Sequence, residues 1–168
     1  REHRAPQLLV GHSLGGAAVL AAAAAIPETV AVATLGAPFE PQHVLRLLKD
    51  SAGTLASRGE ASIDIGGRSF RVRKQFLEDL RERKPGSGVA QLRKALLVMH
   101  SPRDTVVDIE NASAIFAAAK HPKSFVSLDP ADHLLSRRDD ARYAGEVLAA
   151  WARRYLDAPD QAPAPPPG

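Results

Sequence analysis

The chain has 168 residues, of which 45% are hydrophobic and 24% are charged, as is typical of one soluble globular domain. Its net charge of +3 comes from interspersed basic and acidic residues, so the sequence carries no nucleic-acid-binding footprint. It has no cysteine, which excludes disulfides, thiolate catalysis and a cysteine-bound metal, and its longest apolar run (Ala17 to Ile26) is too short to cross a bilayer.

Short apolar segments alternate with helical patterns along most of the chain. Parallel strands that are covered by helices on both faces have this appearance. The sequence therefore predicts an α/β fold with a mostly parallel sheet flanked by helices. The predicted strands cover residues 7–10, 30–35, 95–99 and 124–128, and the predicted helices cover residues 14–25, 109–120 and 139–155.

Residues 39–94 interrupt this alternation. We predict a helix over residues 42–56, a hairpin in ASIDIGGRSFRV, and a second helix over residues 74–83. Gly66 and Gly67 lie between the two alternating segments, where a tight hairpin turn needs positive φ angles. Because the insertion separates two core strands, we expect it to form a small cap above one edge of the sheet.

Ser13 lies between Gly11 and Gly15, after a predicted strand and before a predicted helix. As a turn residue, the serine would only cap the helix. As a nucleophile on a sharp strand-to-helix turn, its hydroxyl would stand above the sheet and small residues on either side would prevent clashes. The N–H of Leu14 would then face a developing oxyanion at the start of the helix. The strand and helix on either side favour the nucleophile.

A serine nucleophile needs a base and an acid that orients the base. In this architecture the order along the chain is Ser, then Asp or Glu, then His, each on a loop after a strand. Asp104 follows the strand that ends at Met99, and His133 follows the strand that ends at Leu128. We predict a triad of Ser13, Asp104 and His133.

The other acidic and imidazole side chains fit these roles less well. Asp108 is predicted to be the N-cap of the next helix. Asp129 and Asp132 are too close to His133 in sequence to aim a carboxylate easily at its ring. We expect the His12 side chain to point away from the turn, and we expect no strand-end position on the side of the triad for His100.

Several of these segments resemble one family. HSPRDTVVDIENASAIF, AAKHPKSFVSLDPADHLLSRRDDARYA and QFLEDL are similar to the α/β-hydrolase domain of bacterial proteins in which it is fused to a C-terminal OsmC-like domain. The wider superfamily is the serine aminopeptidase-like or esterase-like branch of the α/β-hydrolases. The resemblance covers nearly all of residues 7–156, and it gives Ser13, Asp104 and His133 the roles of nucleophile, orienting acid and base.

The resemblance also implies how the chain is organised. The superfamily's first four strands, and the loop that donates its second oxyanion-hole N–H, would precede Arg1. Residues 1–157 would then form the C-terminal half of an α/β-hydrolase fold, cut from a longer protein that starts before REHRAPQ. The proline-rich residues 158–168 would be a linker to the OsmC-like domain or a disordered tail.

Two functions remain open from the sequence. The first is a cytoplasmic serine hydrolase that cleaves a carboxylic ester, thioester or small amide of a small-molecule acyl substrate, without a cofactor or a metal. The second is a non-catalytic binding or scaffold domain for a fused OsmC-like, peroxide-reducing domain. Peroxide reduction itself would belong to that fused domain, because this chain has no cysteine.

Overall fold

A computed structural model describes residues 4–40, 52–65, 68–75, 78 and 88–156. The strands are β1 (Leu8–His12), β2 (Ala31–Leu35), β3 (Glu60–Ile65), β4 (Arg68–Arg73), β5 (Ala95–His100) and β6 (Lys123–Ser127). The helices are α1 (Leu14–Ala22), which continues as a 3₁₀ turn (Ala23–Ala25), α2 (Ala52–Arg58), α3 (Glu110–Ala118) and α4 (Arg138–Leu156).

Four of the strands form one parallel sheet in the order β1-β2-β5-β6. The strands are in register, so that His12 pairs with Leu35, Leu35 with Met99, and Met99 with Val126. Their carboxyl ends therefore lie side by side at one edge. The predicted fold class is confirmed: a mostly parallel sheet flanked by helices.

Alternate residues of β5 enter two separate hydrophobic clusters. Leu96 packs with Leu20 of α1 and Ile115 of α3. Leu97 belongs to the other cluster, which includes Ala144 of α4. Both faces of the sheet are thus covered by helices. This is why β5 is apolar along nearly its whole length instead of alternating with polar residues.

Leu96→Ala and Leu97→Ala are each expected to lower the free energy of unfolding of the intact protein by about 2–5 kcal/mol, because each truncation leaves a cavity in a packed cluster. Both side chains are fully buried, on opposite faces of the sheet. Urea unfolding monitored by circular dichroism measures the change. Glu146→Ala, at an exposed position of α4, is the control and should stay within about 0.5 kcal/mol. A large effect from only one of the two leucines would contradict the two-cluster core.

The segment between β2 and β5 contains the predicted hairpin. Strands β3 and β4 pair antiparallel from Glu60 with Arg73 to Ile65 with Arg68. The predicted turn at residues 66–67 lies outside the described residues. Of the predicted helix over residues 42–56, residues 52–56 are described, and they belong to α2, which ends at Arg58. Most of the predicted helix over residues 74–83 also lies outside the described residues. That the insertion forms a cap stays a prediction.

The helix after β5 begins later than predicted. Helix α3 starts at Glu110 with Ile109 as its N-cap, and it has no side-chain capping hydrogen bond. The prediction that Asp108 is the N-cap is therefore wrong. Asp108 contributes its main-chain carbonyl instead, which accepts hydrogen bonds from the N–H and the side-chain amide of Asn111. The turn is closed by the backbone, so no carboxylate is needed there.

Strand β1 lies at one end of the sheet order, and among the described residues its only strand partner is β2. Val10 in this strand is 45% exposed. No helix in the described part of the chain combines the length and the apolar character needed to cross a membrane.

Candidate active site

Ser13 occupies a sharp turn between β1 and α1. Its φ of 53° and ψ of −127° are unusual for a residue with a side chain, and such a conformation is destabilising by about 1–3 kcal/mol. The turn is held by the Ser13 N–H, which donates to the Leu35 carbonyl at 2.8 Å. The Ser13 hydroxyl makes no capping hydrogen bond to α1. The Ser13 side chain therefore does not cap the start of the helix.

Close backbone contacts explain two of the glycines around this turn. A Cβ on Gly11 would meet the carbonyl of Gly15, and a Cβ on Gly16 would meet the side chain of Ala37. These positions let α1 lie close against the sheet. The prediction that Gly15 is needed to avoid a clash is wrong, because a Cβ there meets no described atom within 4 Å.

Asp104 lies on the loop after β5 and is 8% exposed. One of its carboxylate oxygens accepts hydrogen bonds from the N–H groups of Val106 (2.8 Å) and Val107 (2.9 Å). Burial raises the pKa of Asp104. Hydrogen bonds from His133, Val107 and Val106, with the positive charge of His133 when it is protonated, outweigh burial and hold that pKa below its ordinary value. The carboxylate is therefore ionised at neutral pH.

His133 lies on the loop after β6 and contacts both other predicted triad residues. Its Nδ1 is 2.7 Å from Oδ2 of Asp104, and its Nε2 is 3.0 Å from Oγ of Ser13. Because a carboxylate only accepts hydrogen bonds, Nδ1 carries the proton. In the neutral ring Nε2 then has the free electron pair and accepts the hydrogen bond of the Ser13 hydroxyl. This is the tautomer that a general base needs.

Residues next to His133 in sequence fix the conformation of its loop. The carboxylate of Asp132 accepts a hydrogen bond from the Ser136 N–H at 2.9 Å, and Leu135 has a positive φ of 51°. Hydrogen bonds from the backbone N–H and the side chain of Ser136 hold the pKa of Asp132 below its ordinary value. Asp129 pairs instead with the exposed Arg103. Both aspartates next to His133 are thus engaged elsewhere, as their closeness in sequence suggested.

Gly36, at the end of β2, has a position that the sequence did not single out. Its φ is 53°, and a Cβ there would lie 3.1 Å from Asp104 Oδ2 and 3.3 Å from His133 Nδ1. Its N–H donates to the Met99 carbonyl at 2.9 Å, which fixes the backbone at this place. A Cβ here would be closer to both side chains than atoms normally pack, so the carboxylate or the imidazole would have to shift by a few tenths of an ångström.

Gly36→Ala is expected to lower kcat of the intact protein about tenfold or more, with a smaller change in KM. The added methyl group is expected to shift Asp104 or His133 by a few tenths of an ångström, which weakens their alignment with Ser13. A free-energy change of about 1.36 kcal/mol at the transition state corresponds to a factor of ten. Steady-state kinetics with an activated ester measure the effect. Gly145→Ala in α4 is the matched control, since a Cβ there meets nothing within 4 Å, and its kcat should not change. An unchanged kcat in Gly36→Ala would contradict this role.

His100, which was not predicted to belong to the triad, lies beside Asp104. It is fully buried, and its Nε2 donates to the Val107 carbonyl at 2.8 Å. The same nitrogen is 3.5 Å from Oδ2 of Asp104. Within the described residues its Nδ1 has no hydrogen-bond partner. The bond to Val107 closes the loop around Asp104, and only a residue's position in space reveals such a contact.

His12 also lies against the site. Its Nε2 is 2.7 Å from the main-chain carbonyl oxygen of His133, and the two rings are tilted by 40° with centroids 4.9 Å apart. The prediction that its side chain points away from the turn is therefore wrong. The loop that carries His133 folds back over the end of β1 and brings the two histidines together.

The N–H of Leu14 belongs to the first residue of α1. The first N–H groups of a helix have no partner within the helix and lie at its positive end. The Leu14 N–H therefore lies at the positive end of α1, directly after Ser13 in the chain. Within the described ranges, no group of three or more histidine, cysteine or acidic side chains could hold a metal ion.

Known structures that resemble this chain include an esterase domain and α/β-hydrolases. The esterase domain of a Rhodothermus marinus protein is 59% identical, with a TM-score of 0.81, and the alignment covers 89% of this chain and 62% of that one. The chain thus spans less than two thirds of the length of that domain. No protein-family model matches the chain, and no curated protein matches it.

More distant structures share the fold. Est1E from Butyrivibrio proteoclasticus is 17% identical, with a TM-score of 0.68, over 89% of this chain and 61% of that one. Alpha/beta hydrolase domain-containing protein 10 from mouse is 16% identical, with a TM-score of 0.62, over 90% of this chain and 64% of that one. With its helix-flanked, mostly parallel sheet, the chain has the architecture of the α/β-hydrolases.

Proposed function

We propose that the chain carries the catalytic triad of a serine hydrolase, which cleaves a carboxylic ester, a thioester or a small amide through an acyl-enzyme. The observation that carries the proposal is His133, whose two ring nitrogens contact Ser13 and Asp104 at 3.0 Å and 2.7 Å. The 59% identity to an esterase domain supports the same chemistry. Because the chain spans 62% of that domain, the activity is proposed for the intact protein.

In the first half of the proposed reaction, His133 Nε2 takes the hydroxyl proton of Ser13 while Oγ bonds to the acyl carbon. The carbonyl oxygen becomes an oxyanion and accepts a hydrogen bond from the Leu14 N–H. The bond to the leaving group then breaks, and His133 gives its proton to the departing oxygen, sulfur or nitrogen. Ser13 is left as an ester.

In the second half, water replaces the leaving group. His133 takes a proton from the water, whose oxygen attacks the acyl carbon, and the carboxylic acid departs as Ser13 regains its proton. Asp104 stays ionised throughout. It keeps the proton on Nδ1 and stabilises the positive charge that the ring acquires twice in each cycle.

A fluorophosphonate probe tests the proposal, because it reacts covalently with activated serines. We expect the intact protein to be labelled, with the adduct located on Ser13 by mass spectrometry of the proteolysed protein. Turnover of esters, thioesters and anilides of increasing acyl length then defines the substrate class. Failure of the probe to label Ser13 would contradict the proposal and would leave a non-catalytic domain as the better interpretation.

We also propose that the domain is fused to an OsmC-like domain and that the protein is cytoplasmic. Residues 158–168 lie outside the described residues.

A further inference from the structure

His12 and Ser13 are consecutive, and both contact His133. Ser13 Oγ is 3.0 Å from the ring at Nε2, and His12 Nε2 is 2.7 Å from the main-chain carbonyl oxygen of the same residue. A carbonyl oxygen only accepts hydrogen bonds, so His12 Nε2 carries a proton and donates it. Two adjacent residues of the turn therefore hold the backbone and the ring of one histidine.

The loop that carries His133 is joined to its surroundings by the bond from the His133 ring to Asp104 and by Ala131, which is buried in the core. Its bond between Asp132 and Ser136 lies within the loop. None of these three contacts is with the turn at the end of β1. The positive φ of Leu135 means that the loop is held in an unfavourable conformation by its surroundings. The bond from His12 joins this loop directly to the turn that carries the nucleophile.

We propose that His12 is a positioning residue for His133. Its hydrogen bond is to the main chain of His133. It anchors the backbone of His133, so that Nε2 stays within reach of Ser13 Oγ both when it takes the proton and when it returns the proton. This inference rests on the proposed hydrolase function. Its expected signature is a change in kcat rather than in KM, because the bond holds the residue that moves the proton.

Two substitutions separate the hydrogen bond from the ring contact. His12→Phe keeps an aromatic ring against His133 but has no donor, whereas His12→Gln has a donor N–H at a similar reach. His12 is exposed, so both variants are expected to fold. Losing one neutral hydrogen bond corresponds to about 3- to 10-fold in rate. We expect that decrease in kcat for His12→Phe with KM within about twofold, and recovery to within about twofold of wild type in His12→Gln.

The matched control is His121→Phe, the same exchange at an exposed position before β6, whereas His133 follows the other end of that strand; it should leave kcat unchanged. Equal losses in His12→Phe and His12→Gln, or an unchanged kcat in His12→Phe, would overturn the proposal.

A second readout does not depend on turnover. The Nδ1 proton of His133, which bonds to Asp104, should give a low-field proton resonance in the intact protein. We expect this resonance to broaden in His12→Phe through faster exchange and to persist in His12→Gln. Absence of Ser13-dependent turnover in wild type would overturn the proposed function. The positioning role would then be decided by this resonance alone, and an unchanged resonance in His12→Phe would overturn it.

Discussion

Replacing Ser13 with alanine in the intact protein is expected to lower kcat for ester hydrolysis by about 10⁶, the size of effect that loss of the nucleophile has in a comparable triad. Among the described residues, the Ser13 hydroxyl bonds to His133, and it does not cap α1. The fold should therefore be retained. Steady-state kinetics and a thermal unfolding curve measure the two parts of the prediction.

The control for this substitution is Ser113→Ala, at an exposed position of α3, which should leave kcat unchanged. His133→Ala should be as damaging as Ser13→Ala, and the double variant should be hardly slower than either single variant, because the pair acts as a unit. Ester hydrolysis by Ser13→Ala within tenfold of wild type would show that another group is the nucleophile.

Asp104→Asn is expected to lower kcat by about 10⁴. The amide keeps the size of the side chain, and its oxygen can still accept the N–H groups of Val106 and Val107. An amide NH₂ facing His133 cannot accept the Nδ1 proton, however. The ring then moves its proton to Nε2, where it can no longer take the proton of Ser13.

Asp108→Asn is the matched control for this substitution, since it makes the same chemical change four residues further along the chain. The carboxylate of Asp108 makes no contact with His133 among the described residues, so its kcat should stay within a few-fold of wild type. If Asp108→Asn were the more damaging of the two, the orienting acid would be Asp108.

The parallel sheet could be predicted because of how its strands are buried. Leu96 and Leu97 face different hydrophobic clusters, and a strand that is covered on both faces has a continuous run of apolar residues in its sequence. The order Ser13, Asp104, His133 was also visible in the sequence. Parallel strands that end at the same edge make each following loop a neighbour of the others, so an order along the chain translates into proximity.

The remaining details of the site depend on distances between loops, which the sequence does not encode locally. Gly36 follows β2, and its sequence position does not mark it as a site residue. Only the structure shows that a Cβ at this position would lie 3.1 Å from Oδ2 of Asp104. The direction of the His12 side chain could not be predicted, because it depends on contact with the loop after β6. The predicted start of α3 is wrong because a backbone turn at Asp108, and not a side-chain cap, precedes the helix.

The central claim is that Ser13 forms an acyl-enzyme, and trapping that intermediate tests it most directly. The intact protein would be mixed with a nitrophenyl ester of a bulky acid, whose acyl-enzyme water attacks slowly, then quenched in acid and analysed by mass spectrometry. We predict a burst of nitrophenol close to one equivalent and the mass of the acyl group on the peptide that contains Ser13, with both absent in Ser13→Ala. Turnover without an adduct, or an adduct on any other residue, would contradict the account.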